Sequence, residues 1–453
     1  MKKLSYFDFI LVIVICFQIG LVECFDVDLL KWELAFVSIY TFIRAVCSFK
    51  DLLHPYVLFL FCFNIFLNSR VFIDIVTGKP FYYTTFFSKY PFSYATQQKI
   101  LLMLIVSLIC INLGRELALY FFPDKQIELK KNDKYLTISR FFMNIFFIPV
   151  ILYFIQLGIS LWNNGYGGIP VSVKESILSH ATTFFQFGFY LFLASKPSKQ
   201  MLKKYSFVFV LSMFLSMFSG VRNIFATNIL MLLSYYSLYV KKISQIIVVI
   251  MISLGVIVFE VTGFIRDDPE NANLAEYIFN NEDSVAEIFF SHQGVSITVL
   301  GYSDELLEKS SIMDLFYPMY DYYAEKFVDQ YKEEEQKDYN FGHKISYNIN
   351  PAFYYSGHGV GTSFVAELYS AGEFLGVMVG SFLLSFFLIC YIYKYGNKTL
   401  GCLYLLIFLK YLYFMPRGGY FAFFSDVFKW YIVITVIGKV EKIAISRKGT
   451  TND

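Results

Sequence analysis

The stretch SYNINPAFYYSGHGVGTSFVAELYSAGEFLGVMVG, residues 346–380, changes character at its middle. Its first half is a loop in which Gly357, Gly359 and Gly361 interleave with His358, a backbone free to take tight or left-handed turns. From Thr362 the chain turns helical and stays apolar to about residue 393, long enough to cross a hydrocarbon core of about 30 Å. A histidine and a carboxylate, Glu367, therefore stand where water meets membrane. Gly372, Gly376 and Gly380 recur every four residues and clear one helical face of side chains, which predicts close packing of this span against a neighbour.

Working outward, the whole chain has the same character. Hydrophobic residues make up 57% of the 453 positions and charged residues only 16%, which excludes an ordinary soluble domain. The 20% aromatic content fits interfacial belts without any ligand. Apolar runs of spanning length fall near 7–24, 31–49, 54–73, 98–121, 138–160, 177–195, 205–221, 223–240, 244–264, 366–393, 399–415 and 420–438. The expected fold is an all-α polytopic integral membrane protein with about twelve transmembrane helices. The first run follows Met1-Lys2-Lys3, but Val22-Glu23-Cys24 offers no small-x-small cleavage site, so it is expected to be a retained helix.

Lysine and arginine collect in alternate connections: Lys50, Lys125 to Lys134, Lys196 to Lys204, Lys241 and Lys242, Lys394 and Lys398, and the tail from Lys439. Roughly twenty lie there against about eight on the other side, which places both termini in the cytoplasm. The organisation is then nine spans over 1–264, a long extracytoplasmic loop late in the chain over 265–360, three spans over 361–438 and a cytoplasmic tail at 439–453. The outer loop holds about half of the carboxylates, and its segment from Ile312 to Tyr339 has the pattern of a helix with an aromatic face, for a membrane surface or a glycan. The net charge of +2 is spent on orientation, with no nucleic-acid pattern.

The seven cysteines lie in or beside spans without a CxxC pair, and the five histidines lack the His-Glu-x-x-His spacing, so neither a disulfide framework nor a metal site is expected. No phosphate-cradling loop is present, so no cofactor and no direct nucleotide hydrolysis are expected. The informative residues are four arginines at the outer boundary: Arg70 in FLNSRVFID, Arg222 in MFSGVRNIFATN, Arg266 in EVTGFIRDD and Arg417 in FMPRGGYF. Each alone fits snorkelling, or pairing with a neighbour such as Glu260 or Asp267. Four on one side, two of them in turns of Gly, Pro and small residues, point to a large anionic head group, because the guanidinium fork suits phosphate oxygens. His358 has no evident packing role, and a neutral imidazole with an ordinary pKa of about 6.5 suits a general base. Glu367, near a helix N-terminus, fits capping electrostatics as well as chemistry.

Three of these segments resemble a known family. ISYNINPAFYYSGHGVGTSFVAELYSAGEFLGV (345–377) is similar to the Asn-Pro, Gly-x-Gly and Ser-x-x-Ala-Glu-x-Tyr signature of the O-antigen polysaccharide polymerases, the Wzy type. SGVRN (219–223) resembles their small-Gly-x-Arg turn and PRGGYFAFF (416–424) their late arginine motif. The resemblance implies a GT-C-like membrane glycosyltransferase at the outer face of a bacterial inner membrane. Its substrates would be undecaprenyl-diphosphate-linked oligosaccharides in membrane lipid, its partner a chain-length regulator protein. A growing chain would pass from its lipid diphosphate to the terminal sugar of a new lipid-linked unit. On that reading Arg222 and Arg417 hold the leaving diphosphate, Arg266 or Arg70 the second one, and His358 is the base, with Glu367 its rival or its orienting group.

Two other functions remain open on the sequence. An O-antigen ligase resembles the polymerases in topology but transfers the chain to lipid A-core. A repeat-unit flippase or other transporter would also have about twelve spans, with internal repeats and ionisable residues at depth. No repeat between the halves is visible. Lys410, Asp426 and Glu260 lie at depth, with Lys410 seven residues before Arg417, and structural pairing within the bundle accounts for them equally.

Overall fold

The computed structural model describes residues 13–14, 17–21, 24–83, 92–123, 126–164, 173, 176–218, 222–267, 284–306, 312–317, 340–355 and 359–449. Among the described residues every regular element is helical. Helix α1 (Val27–Phe49) starts where the Asp26 carboxylate accepts from the amides of Asp28 and Leu29, and ends at Lys50 in the left-handed conformation. Helix α2 (Pro55–Thr77) starts with proline at its first position, where no amide is needed. A π-helical turn, Asn64–Asn68, widens its middle. Next come α3 (Tyr94–Phe121), α4 (Asp133–Asn164), α5 (Ile177–Ala194), α6 (Lys199–Phe218), α7 (Arg222–Tyr239) and α8 (Gln245–Asp267).

Beyond α8 lie α9 (Val285–Gln293), α10 (Ile297–Leu306), α11 (Phe341–Ile349), α12 (Pro351–Tyr355), α13 (Phe364–Tyr395), α14 (Thr399–Leu412) and α15 (Phe424–Gly449). Helices α1, α2, α3, α4, α5, α8 and α13 are long and apolar enough to cross a membrane. Every expected span from 31–49 onward coincides with a helix. The first, 7–24, falls largely outside the described residues, as does the aromatic segment after Tyr317.

One expectation changes on contact with the structure. The glycine face of 372–380 does not meet a neighbouring helix. Helix α13 breaks at Gly372 and Glu373, whose φ of +51° is left-handed, and its first two turns fold back so that Leu368 covers Gly376 and Gly380. The close crossing with α3 is made instead by Gly114 against Ser385 and Phe382, and by Ser107 and Ser381, whose hydroxyls are 2.8 Å apart. Of the expected long loop over 265–360, the structure describes, beyond the end of α8, 284–306, 312–317 and 340–355 and the two residues before 361. The part from Ser284 to Leu306 packs into the bundle: α9 lies on α2 and α8, and α10 lies between α3, α11 and α13 with Ile297 to Ser303 buried. Its carboxylates pair with earlier parts of the chain, Glu287 with Lys79 at the surface and the largely buried Asp304 side chain with Lys99, each at 2.9 Å.

Candidate functional site

A cavity of about 480 Å³ runs between α2, α7 and α8. One end is lined by Leu53 and Val248, at the starts of α2 and α8, and the other by Arg222, Gln293 and Arg417. Along α2 the lining passes from Leu53 through Phe61 and Ile65 to Phe66, a helical rise of roughly 20 Å. Its walls are apolar almost throughout. The π-helical turn supplies Ile65 and Phe66, so the local widening of α2 shapes this wall.

The polar end is assembled from four parts of the chain. Arg222 and Asn223 begin α7, so the positive end of that helix dipole faces the cavity. The guanidinium of Arg222 rests on Gly263 of α8, where a Cβ would collide with Nη1. Arg417 ends the short 3-10 turn Met415–Arg417, and its Nη1 lies 3.4 Å from Oε1 of Gln293, the buried last residue of α9. The glycines that follow let Glu367 approach: its Oε2 accepts the Tyr420 amide at 2.8 Å, its Oε1 accepts the Thr362 hydroxyl at 2.9 Å, and a Cβ on Gly419 would stand 3.0 Å from Oε1. Glu367 thus clasps the turn that carries Arg417.

Arg70 has a different position from that of a cavity wall. Its Nε donates to the carbonyl of Ser291 at 2.8 Å and its Nη1 to that of Tyr83, while the neighbouring Ser69 hydroxyl donates to the carbonyl of Phe290 at 2.8 Å. The Phe290 carbonyl also accepts the Gly294 amide, so Ser69 adds a second bond there, and the Arg70 guanidinium stands at the negative end of α9. Position 266 falls in the last turn of α8, and the Arg266 side chain lies outside the described residues, as does His358.

Three residues that sequence reasoning did not select adjoin this end: Gln293, Gly263 and His292, the last of them paired with Glu260. Nδ1 of His292 lies 2.9 Å from Oε1 of the buried Glu260. Glu260 was legible as a carboxylate at depth; its partner was not, because 32 residues separate the two. Lys410 and Asp426 also find partners inside the bundle. Lys410 Nζ is 3.0 Å from Gln186 Oε1 and 4.0 Å from Asp426, which also binds Lys429 and the Tyr411 hydroxyl. These groups link α5, α14 and α15, as structural pairing predicts. His343, outside the spans, bonds the Tyr354 hydroxyl at 2.7 Å, and burial lowers its pKa.

Taken chemically, the cavity offers two guanidinium groups and a helix N-terminus at the head of a long apolar slot, which suits an anionic head group on a lipid tail. A model of the O-antigen polysaccharide polymerase family, Wzy, matches residues 4–444. No curated protein and no solved structure matches the chain.

Proposed function

The chain belongs to the O-antigen polysaccharide polymerase family, and from that premise we propose that its cavity holds an undecaprenyl-diphosphate-linked saccharide for transfer at the outer face of the inner membrane. The protein then works as a membrane glycosyltransferase. The observation that carries this reading is the meeting of Arg222 and Arg417, which start and end different helices, at the head of one apolar slot.

The donor sugar is already activated by its diphosphate, so the protein must do three things. It must hold the lipid, neutralise the charge that builds on the departing diphosphate, and present an acceptor hydroxyl to the anomeric carbon. The slot from Phe66 to Leu53 takes the first isoprene units of the tail, and Arg222 and Arg417 stand where the diphosphate emerges. Guanidinium groups fixed in an apolar wall stabilise phosphate charge more strongly than they do in water, and they need no reorganisation as the bond breaks. Arg70 serves indirectly on this reading, by holding α9 and with it Gln293 beside Arg417.

The test is the surface polysaccharide of a strain lacking only this protein, complemented with variants. Wild type should restore a ladder of repeat lengths. Arg222→Ala and Arg417→Ala should leave lipid A-core bearing a single repeat, and Arg417→Lys should recover only part, since an ammonium cannot grip two oxygens as a fork does. A full ladder from either alanine variant at normal membrane abundance would remove the arginines from the site. A chain-length regulator acting with the protein would show as a change in modal length without loss of the ladder.

A further inference from the structure

Resting on that reading, we infer that His292 is the general base that takes the proton of the acceptor hydroxyl, and that Glu260 is the residue that positions it. His292 is one residue before Gln293, which touches Arg417, so it stands next to the proposed phosphate site. Glu260 is three residues before Gly263, which carries the Arg222 guanidinium, and so lies on nearly the same face of α8. Gln293 lines the slot directly after His292, and Val258 lines it two residues before Glu260, so the pair adjoins the polar end of the slot on two chain segments.

The pair has the geometry that base catalysis needs. With Glu260 as the carboxylate it can only accept a hydrogen bond, and the 2.9 Å contact then assigns the hydrogen to Nδ1 and leaves the Nε2 lone pair to take a proton. The Glu260 side chain is 4% exposed and the His292 side chain 63% exposed, so the carboxylate is fixed within the bundle while the ring stays open to an arriving acceptor. The α9 backbone that presents the ring is held by Arg70, Ser69 and the ion pair of Lys79 with Glu287. A buried carboxylate is costly unless paired, and here its pairing also sets it beside the positive charge that forms when Nε2 is protonated.

In the step itself, the acceptor oxygen forms a bond to the anomeric carbon as the bond from that carbon to the diphosphate oxygen breaks. The electron pair leaves with undecaprenyl diphosphate, and the hydroxyl proton passes to Nε2 of His292. The imidazolium then returns its proton to water, and no oxidant, reductant or metal enters the balance.

The experiment uses the full-length protein in detergent or nanodiscs with the undecaprenyl-diphosphate-linked repeat unit extracted from the strain lacking it. His292→Gln and His292→Ala should each lower kcat by about 10²–10⁴-fold while binding of the lipid-linked unit persists. Because the ring is largely exposed, added imidazole should restore part of the turnover of His292→Ala and none of that of Arg417→Ala. Glu260→Gln, which keeps an acceptor for Nδ1 but loses the charge, should lower kcat by about tenfold or more with KM unchanged. A His292→Gln variant within threefold of wild type would overturn the proposal and leave the arginine reading intact. Wild-type protein that makes no polymer from this substrate would overturn both.

Discussion

Gly263→Ala tests the arginine site without touching an arginine. A methyl group at this position would overlap Nη1 of Arg222 and stand 3.0 Å from Cζ and 3.2 Å from Nη2. Carbon contacts settle at about 3.5–4.0 Å, so the guanidinium must withdraw by on the order of 1 Å. What moves is the far end of a flexible side chain, so the fold can absorb the change. Alanine also favours the helical state over glycine by about 0.8–1.0 kcal/mol in a helix interior, so the stability of α8 should hold or rise. Activity should fall, because misplacing a positioning group by 1 Å can cost about 10²-fold. The measurement is polymer formed per minute from lipid-linked repeat units, beside thermal unfolding of the same preparation. Gly438→Ala in α15, where an added Cβ meets nothing within 4 Å, is the matched control and should leave both unchanged. If Gly263→Ala polymerises at the wild-type rate, the placement of Arg222 against α8 has no part in the reaction.

Other expectations follow from the same contacts. Glu367→Gln can still accept the Tyr420 amide and donate to Thr362, so it should keep activity within several-fold, whereas Glu367→Ala leaves that amide unpaired at a cost of about 1–3 kcal/mol and should lower both melting temperature and turnover. Complete loss in Glu367→Gln with the fold intact would instead make Glu367 a proton carrier. Arg70→Met removes the charged cap of α9, a loss of about 1.5–3 kcal/mol per hydrogen bond, and limited proteolysis should then cut near Ser291 sooner than in wild type. Gly255 lines the slot with open space beside it, so Gly255→Leu should fill the slot and raise KM for the lipid-linked unit with kcat little changed. An unchanged KM there would place the tail elsewhere.

Which features could be foreseen in the chain follows from which requirements are local. Crossing a hydrocarbon layer demands an uninterrupted apolar run with its backbone bonds made internally, so helices such as α3 and α8 announce themselves within their own residues. The same logic made Arg222 and Arg417 visible, since a guanidinium at a membrane boundary requires an explanation wherever it stands. The inward packing of Ser284 to Leu306 had no such local mark. Its run SVAEIFFSHQGVSITVLGYSDEL is broken by Glu287, His292 and Asp304, which looks like a solvated loop until their partners are known. Those partners are Lys79, Glu260 and Lys99, drawn from α8 and from the ends of earlier spans, and the pairings of Glu260 and Asp304 remove the penalty for burying a lone carboxylate. The break at Gly372 and Glu373 was hidden for a related reason: a glycine every four residues has the same pattern whether a neighbouring helix or the chain's own preceding turn covers it. A polar group in an apolar setting therefore declares in sequence that it needs a partner, and only the fold supplies which one; at this site the second fact decides the chemistry, because it puts His292 beside Glu260.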